Sequence, residues 1–189
     1  KGMAIRFRES DARAMGRNTS GVKGISLQTG DELKGMVVAD PEATLLTVCA
    51  QGFGKRTPFG TSSLDANSPD ELGSSSARYR TQGRGGKGLI DIKATKRNGR
   101  VVGVVRVTDD DELLMMTSRG KIQRMAANEI SVIGRNTQGV RIMRLDDDDT
   151  LAAVVRVPHD ATTEADADEG LPEQAANESE SETETPTDE

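Results

Sequence analysis

The feature that most restricts what this chain can fold into is an internal repeat. Gly2, Arg6, Gly16, Arg17, Asn18, Thr19, Gly21, Val22 and Leu27 recur 118 residues later, without a gap, as Gly120, Arg124, Gly134, Arg135, Asn136, Thr137, Gly139, Val140 and Leu145. A looser third copy lies between them: Gly52, Lys55 and Arg56 open it, and Lys87, Gly88 and Leu89 match Lys23, Gly24 and Ile25. That copy carries an insertion at 60–76, rich in Ser, Asp, Asn and Pro, which has the composition of a surface loop. Removing it leaves a period of about fifty residues, a length at which one supersecondary unit buries its apolar face only against the next.

Within each unit the apolar residues come in short β-branched runs bounded by Gly, Asn and Asp, the pattern of strands and tight turns. One set is predicted at Leu33–Val38, Thr44–Cys49, Gly54–Phe59 and Lys87–Ala94, the next at Val101–Val107, Glu112–Thr117, Lys121–Met125 and Val140–Leu145. No segment holds a 3.6-residue period over ten or more residues, so the chain is expected to be all-β. Four short strands per fifty residues predict propeller blades. Residues 1–157 then comprise a half blade (Met3–Leu27), two full blades and a closing strand, Leu151–Val157, expected to pair with the half blade. Three blades are fewer than a closed propeller has, so the sequence reads as a piece of something longer.

Charge divides the chain at the same boundary. All 25 Lys and Arg precede Pro158, and of the 31 acids 12 follow it, so a body of about +6 is joined to a tail of about −12. Residues 158–189 are too polar to offset their ordering entropy, and a disordered acidic tail is expected there, able to compete with other anions for the body. A basic body calls for a polyanionic partner. One Tyr, three Phe and no Trp leave few platforms for stacking unpaired bases, which favours duplex over single strands. Cys49 is the only cysteine and His159 the only histidine, so neither a disulfide nor a metal cage is expected. No catalytic constellation is apparent, and Tyr79 is expected to lack an acid–base neighbour. The chain has no run of membrane-spanning length.

The densest motif is Gln82-Gly83-Arg84-Gly85-Gly86-Lys87-Gly88, following Arg78 and Arg80. Gly83, Gly85 and Gly88 satisfy a dinucleotide fingerprint in spelling, but the preceding segment is polar and a strand, not a helix, follows. Gly88 is followed by Leu89, which excludes a Walker loop. What remains is a glycine loop whose backbone N–H groups form an anion nest, with Arg84 and Lys87 neutralising phosphate. The repeated words add Arg6, Arg56 and Arg124, and Arg17 and Arg135, at equivalent places on successive blades. Together with Lys23, Lys55, Arg78, Arg80 and Arg141 they form an expected basic stripe suited to a bent duplex.

These residues resemble the C-terminal domain of the DNA gyrase A subunit, a type IIA topoisomerase component. The resemblance is carried by Gly2-Met-Ala-Ile-Arg-Phe7, Met15-Gly-Arg-Asn-Thr19, Gly52-Phe-Gly-Lys-Arg-Thr57, Arg97-Asn-Gly99, Glu129-Ile-Ser131 and Gly134-Arg-Asn-Thr-Gln-Gly-Val140. Gln82–Gly88 is similar to the family's box, Q-R-R-G-G-K-G, departing from it at Gly83. In the family the box proper belongs to the first blade, whereas this copy sits in a later one. The resemblance implies a β-pinwheel that wraps duplex DNA without base specificity. It implies as partners the rest of the A subunit and the B subunit, in an A2B2 complex that supercoils DNA using Mg and ATP bound elsewhere. It also implies a cytoplasmic, chromosome-associated protein with no cofactor in this segment. Two alternatives remain at this level: the related domain of topoisomerase IV, and a protein-binding propeller of the kelch kind.

Overall fold

Nine strands form in the computed structural model, which describes residues 1–60 and 78–158. All of the predicted insertion beyond Gly60 and the acidic tail beyond Pro158 lie outside the described residues. The strands are β1 (Met3–Ala4), β2 (Thr44–Cys49), β3 (Phe53–Pro58), β4 (Leu89–Ile90), β5 (Val101–Val107), β6 (Glu112–Thr117), β7 (Ile122–Ala126), β8 (Val140–Arg141) and β9 (Leu151–Val157). Among the described residues there is no α-helix, only two short 3-10 turns at Glu9–Asp11 and Ala127–Glu129.

The sheets are assembled differently from the order in the chain. One is β5-β2-β3-β8, the second β7-β6-β9, and the third the short pair β1-β4. In two repeats the same three-stranded antiparallel unit appears, β5-β2-β3 and β9-β6-β7. Both carry a bulge at the same place, Val48/Cys49 on β2 and Met116/Thr117 on β6. The fourth strand comes from the following repeat: β4 pairs with β1, and β8 with β3. Four-stranded blades in chain order are therefore replaced by blades that exchange a strand with their neighbour. Strand periodicity fixes which face of a strand is buried but not which edge its hydrogen bonds reach.

One expected pairing and three expected strands are corrected in this way. Leu151–Val157 pairs with β6 rather than with the half blade. Of Lys87–Ala94 and Val140–Leu145 only two residues each join a sheet. Leu33–Val38 forms no strand, and Leu33, Met36 and Val38 are exposed. A 118-residue shift makes Leu33–Ala39 the counterpart of β9, which accounts for its apolar pattern, but no strand equivalent to β6 lies beside it among the described residues.

The main core lies between the two larger sheets, where Leu46, Val48 and Val107 meet Leu113, Met115, Ile130, Met143 and Leu151. β2 is buried on both faces along almost its whole length, with Leu46 and Val48 in the main core and Leu45 in a smaller cluster with Phe59 and Tyr79. β6 instead alternates, with Leu113 and Met115 buried and Leu114 and Met116 exposed. Its outer face corresponds to one that β2 hides.

The blade-to-blade joint turns on one backbone position. Gly52 has φ +73°, and a Cβ there would fall 2.3 Å from the carbonyl oxygen of Met143, which no side chain tolerates. The Gly52 carbonyl accepts hydrogen bonds from the amides of Ile142 and Met143. Gly2 repeats this on Asp91 and Ile92, whereas Gly120, with the same φ sign, has open space around it.

Candidate nucleic-acid interface

The Gln82–Gly88 loop leaves a bend at Arg78 and leads into β4. Gly88 lets it approach the first repeat: φ is +77°, and a Cβ there would lie 2.4 Å from the Ala4 carbonyl oxygen. Two reciprocal backbone bonds seat the loop on the segment at 24–26. The Gly85 amide donates to the Gly24 carbonyl (2.7 Å), and the Ser26 amide to the Gly86 carbonyl (2.8 Å). The Ser26 hydroxyl adds a bond to the Gly85 carbonyl at 2.7 Å.

This seating corrects two expectations. Part of the supposed nest is occupied from within, because the Gly85 amide and that of Gln82, which donates to the Arg6 carbonyl at 2.8 Å, already have acceptors. Arg84 is only half available: its Nε and Nη1 donate to the carbonyls of Asp11 (3.0 Å) and Lys23 (2.7 Å). Arg84 therefore ties the loop to the first repeat as well as charging it. Lys87, Lys23 and Arg80 are exposed, while Gln82, Gly85, Gly86, Gly88 and Arg78 are half-buried. A side chain at Gly83, where the family's box has arginine, would meet nothing within 4 Å.

Most of the repeated basic residues are fasteners between blades. Arg6 donates to the carbonyls of Phe59 (2.7 Å) and Tyr79 (3.3 Å), and burial together with nearby Arg78 lowers its pKa. Arg56, 4% exposed, donates through Nε to the Ile130 carbonyl at 2.8 Å and also pairs with Asp109. Arg135 donates to the carbonyls of Arg78 and Ile90. Arg124, the third member of the Arg6 series, instead lies exposed on Glu112. Arg17 and Arg141 are exposed. The expected stripe is thus broken: Arg6, Arg56 and Arg135 point into blade joints, because a charged fork satisfies several carbonyls that such a joint would otherwise bury unpaired.

Lys55 is the clearest correction. It is fully buried, its Nζ 3.0 Å from Asp91 Oδ1, 2.9 Å from the Thr57 hydroxyl and 3.0 Å from the Gly134 carbonyl. Desolvation lowers its pKa, offset in part by Asp91. Asp91 also accepts from the Tyr79 hydroxyl (2.6 Å) and the Thr47 hydroxyl (2.7 Å). Tyr79 therefore has the acid neighbour it was expected to lack, but burial and Asp91 raise its pKa, and at 4% exposure it reaches no substrate. The group is a buried polar lock joining β2, β3 and the end of β4. Burial likewise pushes the Cys49 thiol up to about 12, leaving it inert. Sequence reasoning missed Asp91 and Asn98 as organising residues; both lie in segments whose neighbours are charged or β-branched, and nothing in their spacing marks them.

The family model described as "DNA gyrase C-terminal domain, beta-propeller" matches residues 1–40, 75–108 and 111–158, and thereby covers more than half of the chain. The chain belongs to this family. Gyrase A subunits of Haloquadratum walsbyi and Escherichia coli are 44% and 41% identical to it, over 88% and 83% of the chain. That of Staphylococcus aureus is 40% identical over 87%. The chain spans less than a fifth of the length of these relatives, 16–18%. A solved gyrase A C-terminal domain superposes with a TM-score of 0.66 at 30% identity, over 82% of this chain and 47% of that one. The C-terminal domain of a DNA topoisomerase IV superposes with a TM-score of 0.67 at 20% identity, over 82% and 44%, which speaks to the fold alone.

As a gyrase C-terminal propeller segment, the chain has no group of three or more His, Cys, Asp or Glu side chains placed to hold a metal ion among the described residues. No described helix is long and apolar enough to cross a membrane.

Proposed function

We propose that this domain binds and wraps duplex DNA through its backbone, without base specificity. The observation that carries the reading is how the exposed cations are matched. Half-buried Arg106 and Arg156 on the outer strands, and exposed Lys121 just before one, meet carboxylates: Asp40 at 2.7 Å, Asp111 at 3.6 Å and Asp146 at 3.5 Å. Between Arg8 and Lys23, around Arg80, Lys87 and Lys93, and at Arg141 and Arg144, exposed cations have no carboxylate within 4.0 Å among the described residues. These segments include the box and the Arg17 corner. Unmatched cations on loops that are themselves hydrogen-bonded in place are what phosphate contact requires. A protein-binding propeller would present apolar and aromatic loops there instead. Within the whole subunit, the domain would hold a wrapped segment for an A2B2 enzyme that supercoils DNA in the cytoplasm with ATP hydrolysed by the B subunit.

Two measurements test the proposal. Fluorescence anisotropy with linear duplex across a salt series should show log K falling by about 0.9 per neutralised phosphate per tenfold salt. Nicked circular DNA religated in the presence of the chain should change its linking number. Salt-independent binding, or no change in linking number at saturating protein, overturns the reading.

A further inference from the structure

The seven-residue turn Lys93–Gly99 is built around Asn98, which is fully buried. Its Oδ1 accepts from the Thr95 amide (2.7 Å) and hydroxyl (3.1 Å), and its Nδ2 donates to the carbonyls of Lys93 (2.9 Å) and Gln138 (3.0 Å). The Asn98 carbonyl accepts from the Gln51 amide at 3.0 Å, and the Gly99 amide closes the turn on the Thr95 carbonyl at 2.8 Å. A turn so fully bonded does not rearrange when a ligand arrives, so the side chain it presents is pre-positioned.

That side chain is Arg97. Its guanidinium carbon lies 5.1 Å from the centre of the Phe53 ring, and Arg141, on β8 directly opposite Phe53, lies 5.4 Å from the same centre. The two guanidinium carbons are therefore no more than about 10.5 Å apart. Neither has a carboxylate within 4.0 Å among the described residues. Both are exposed, while Phe53 is 3% exposed beneath them. The ring holds each cation by its quadrupole and orders the long side chains in advance, leaving their N–H donors facing solvent. Two like charges kept this close without an acid between them lower the cost of bringing in an anion.

We propose that Arg97 and Arg141, braced on Phe53 and set by the Asn98 turn, form a clamp for the phosphodiester backbone of duplex DNA, separate from the Gln82–Gly88 loop. The clamp rests on the duplex-binding reading above and adds a site to it. Its two guanidiniums span neighbouring phosphates of one strand, and the contact is blind to base sequence.

The test uses the full chain with a linear duplex. Arg97→Gln with Arg141→Gln should lower affinity about 60-fold at 0.1 M salt and flatten the salt slope by about 1.8, at about 0.9 per lost phosphate contact. Arg119→Gln with Arg156→Gln makes the same change in net charge and should leave the slope within about 0.3. Arg97→Lys with Arg141→Lys should restore most of the slope. If the wild-type chain binds with a steep slope that the glutamine pair retains, the clamp fails and the duplex reading stands. If the wild-type slope is flat, the duplex reading itself fails. A second measurement needs no variant: modification of arginines by phenylglyoxal, read by mass spectrometry. Duplex should protect Arg97 and Arg141 but not Arg119, and inorganic phosphate at equal phosphate concentration should protect none. Equal labelling of Arg97 and Arg141 with and without duplex overturns the clamp.

Discussion

Removing one member of the Lys55–Asp91 pair separates scaffold from DNA contact. In Asp91→Ala the Lys55 ammonium stays buried with only the Thr57 hydroxyl and the Gly134 carbonyl, and the Tyr79 and Thr47 hydroxyls lose their acceptor. Breaking a buried pair in this way costs about 3–5 kcal/mol, a large part of the roughly 5–15 kcal/mol that holds a domain together. With a urea m-value of about 2 kcal/mol/M, the midpoint falls by about 1.5–2.5 M. Lys55→Met should cost less, because Asp91 keeps two hydroxyl donors at 2.6 and 2.7 Å.

The pH dependence has a definite sign. The folded-state pKa of Lys55 is already below its ordinary 10.5, and losing Asp91 lowers it further. The unfolded chain then binds more protons, so the stability of Asp91→Ala rises with pH towards 10.5 and falls on acidification. At temperatures where Lys55→Met remains folded, its duplex affinity should lie within about twofold of wild type with an unaltered salt slope, since Lys55 reaches no phosphate. A slope flattened by about 0.9 with an unchanged urea midpoint would refute the reasoning and place Lys55 on the DNA.

Gly52→Ala should cost about 2–4 kcal/mol in urea unfolding, combining a left-handed backbone with a clash on Met143. Gly120→Ala, with open space around it, should cost only the backbone part, about 1–2 kcal/mol. Gly83→Arg, in the open position that departs from the family's box, should tighten duplex binding and steepen the salt slope by about 0.9. Lys87→Ala should flatten that slope by about 1 without altering the fold, whereas Arg84→Ala should also speed hydrogen exchange at the Ser26 and Gly85 amides. Hydrogen bonds from the Thr117 and Ser118 hydroxyls and the Thr150 and Arg119 amides hold the Asp149 carboxyl down to about 2, against burial. Its stabilisation is therefore present above pH 3.8 and lost as the pH falls towards 2, and Asp149→Asn should flatten the acid limb of an unfolding curve across that window.

The repeat, most of the strand positions and the glycine at each joint were legible because a period shows itself in the order of the residues alone. Asp31 and Asp149 illustrate how far this extends: they stand 118 residues apart, and each carboxylate takes the backbone nitrogen of an equivalent residue, Lys1 at 2.7 Å and Arg119 at 3.2 Å. What repetition does not reveal is the direction in which a side chain points. Arg56 and Arg124 occupy equivalent positions, yet one is buried against the Ile130 carbonyl and the other lies on Glu112, because among the described residues only the first has a following blade to fasten. Arg6 and Arg56 recur where these units share their joints. Phosphate contact makes no such demand, since a duplex can be held by cations placed irregularly along a rim. Recurrence alone therefore does not mark a contact: Arg6 and Arg56 are turned inward, whereas the basic position shared by Lys23, Lys87 and Arg141 faces solvent in all three copies, as does Arg97 from a turn whose sequence differs between copies.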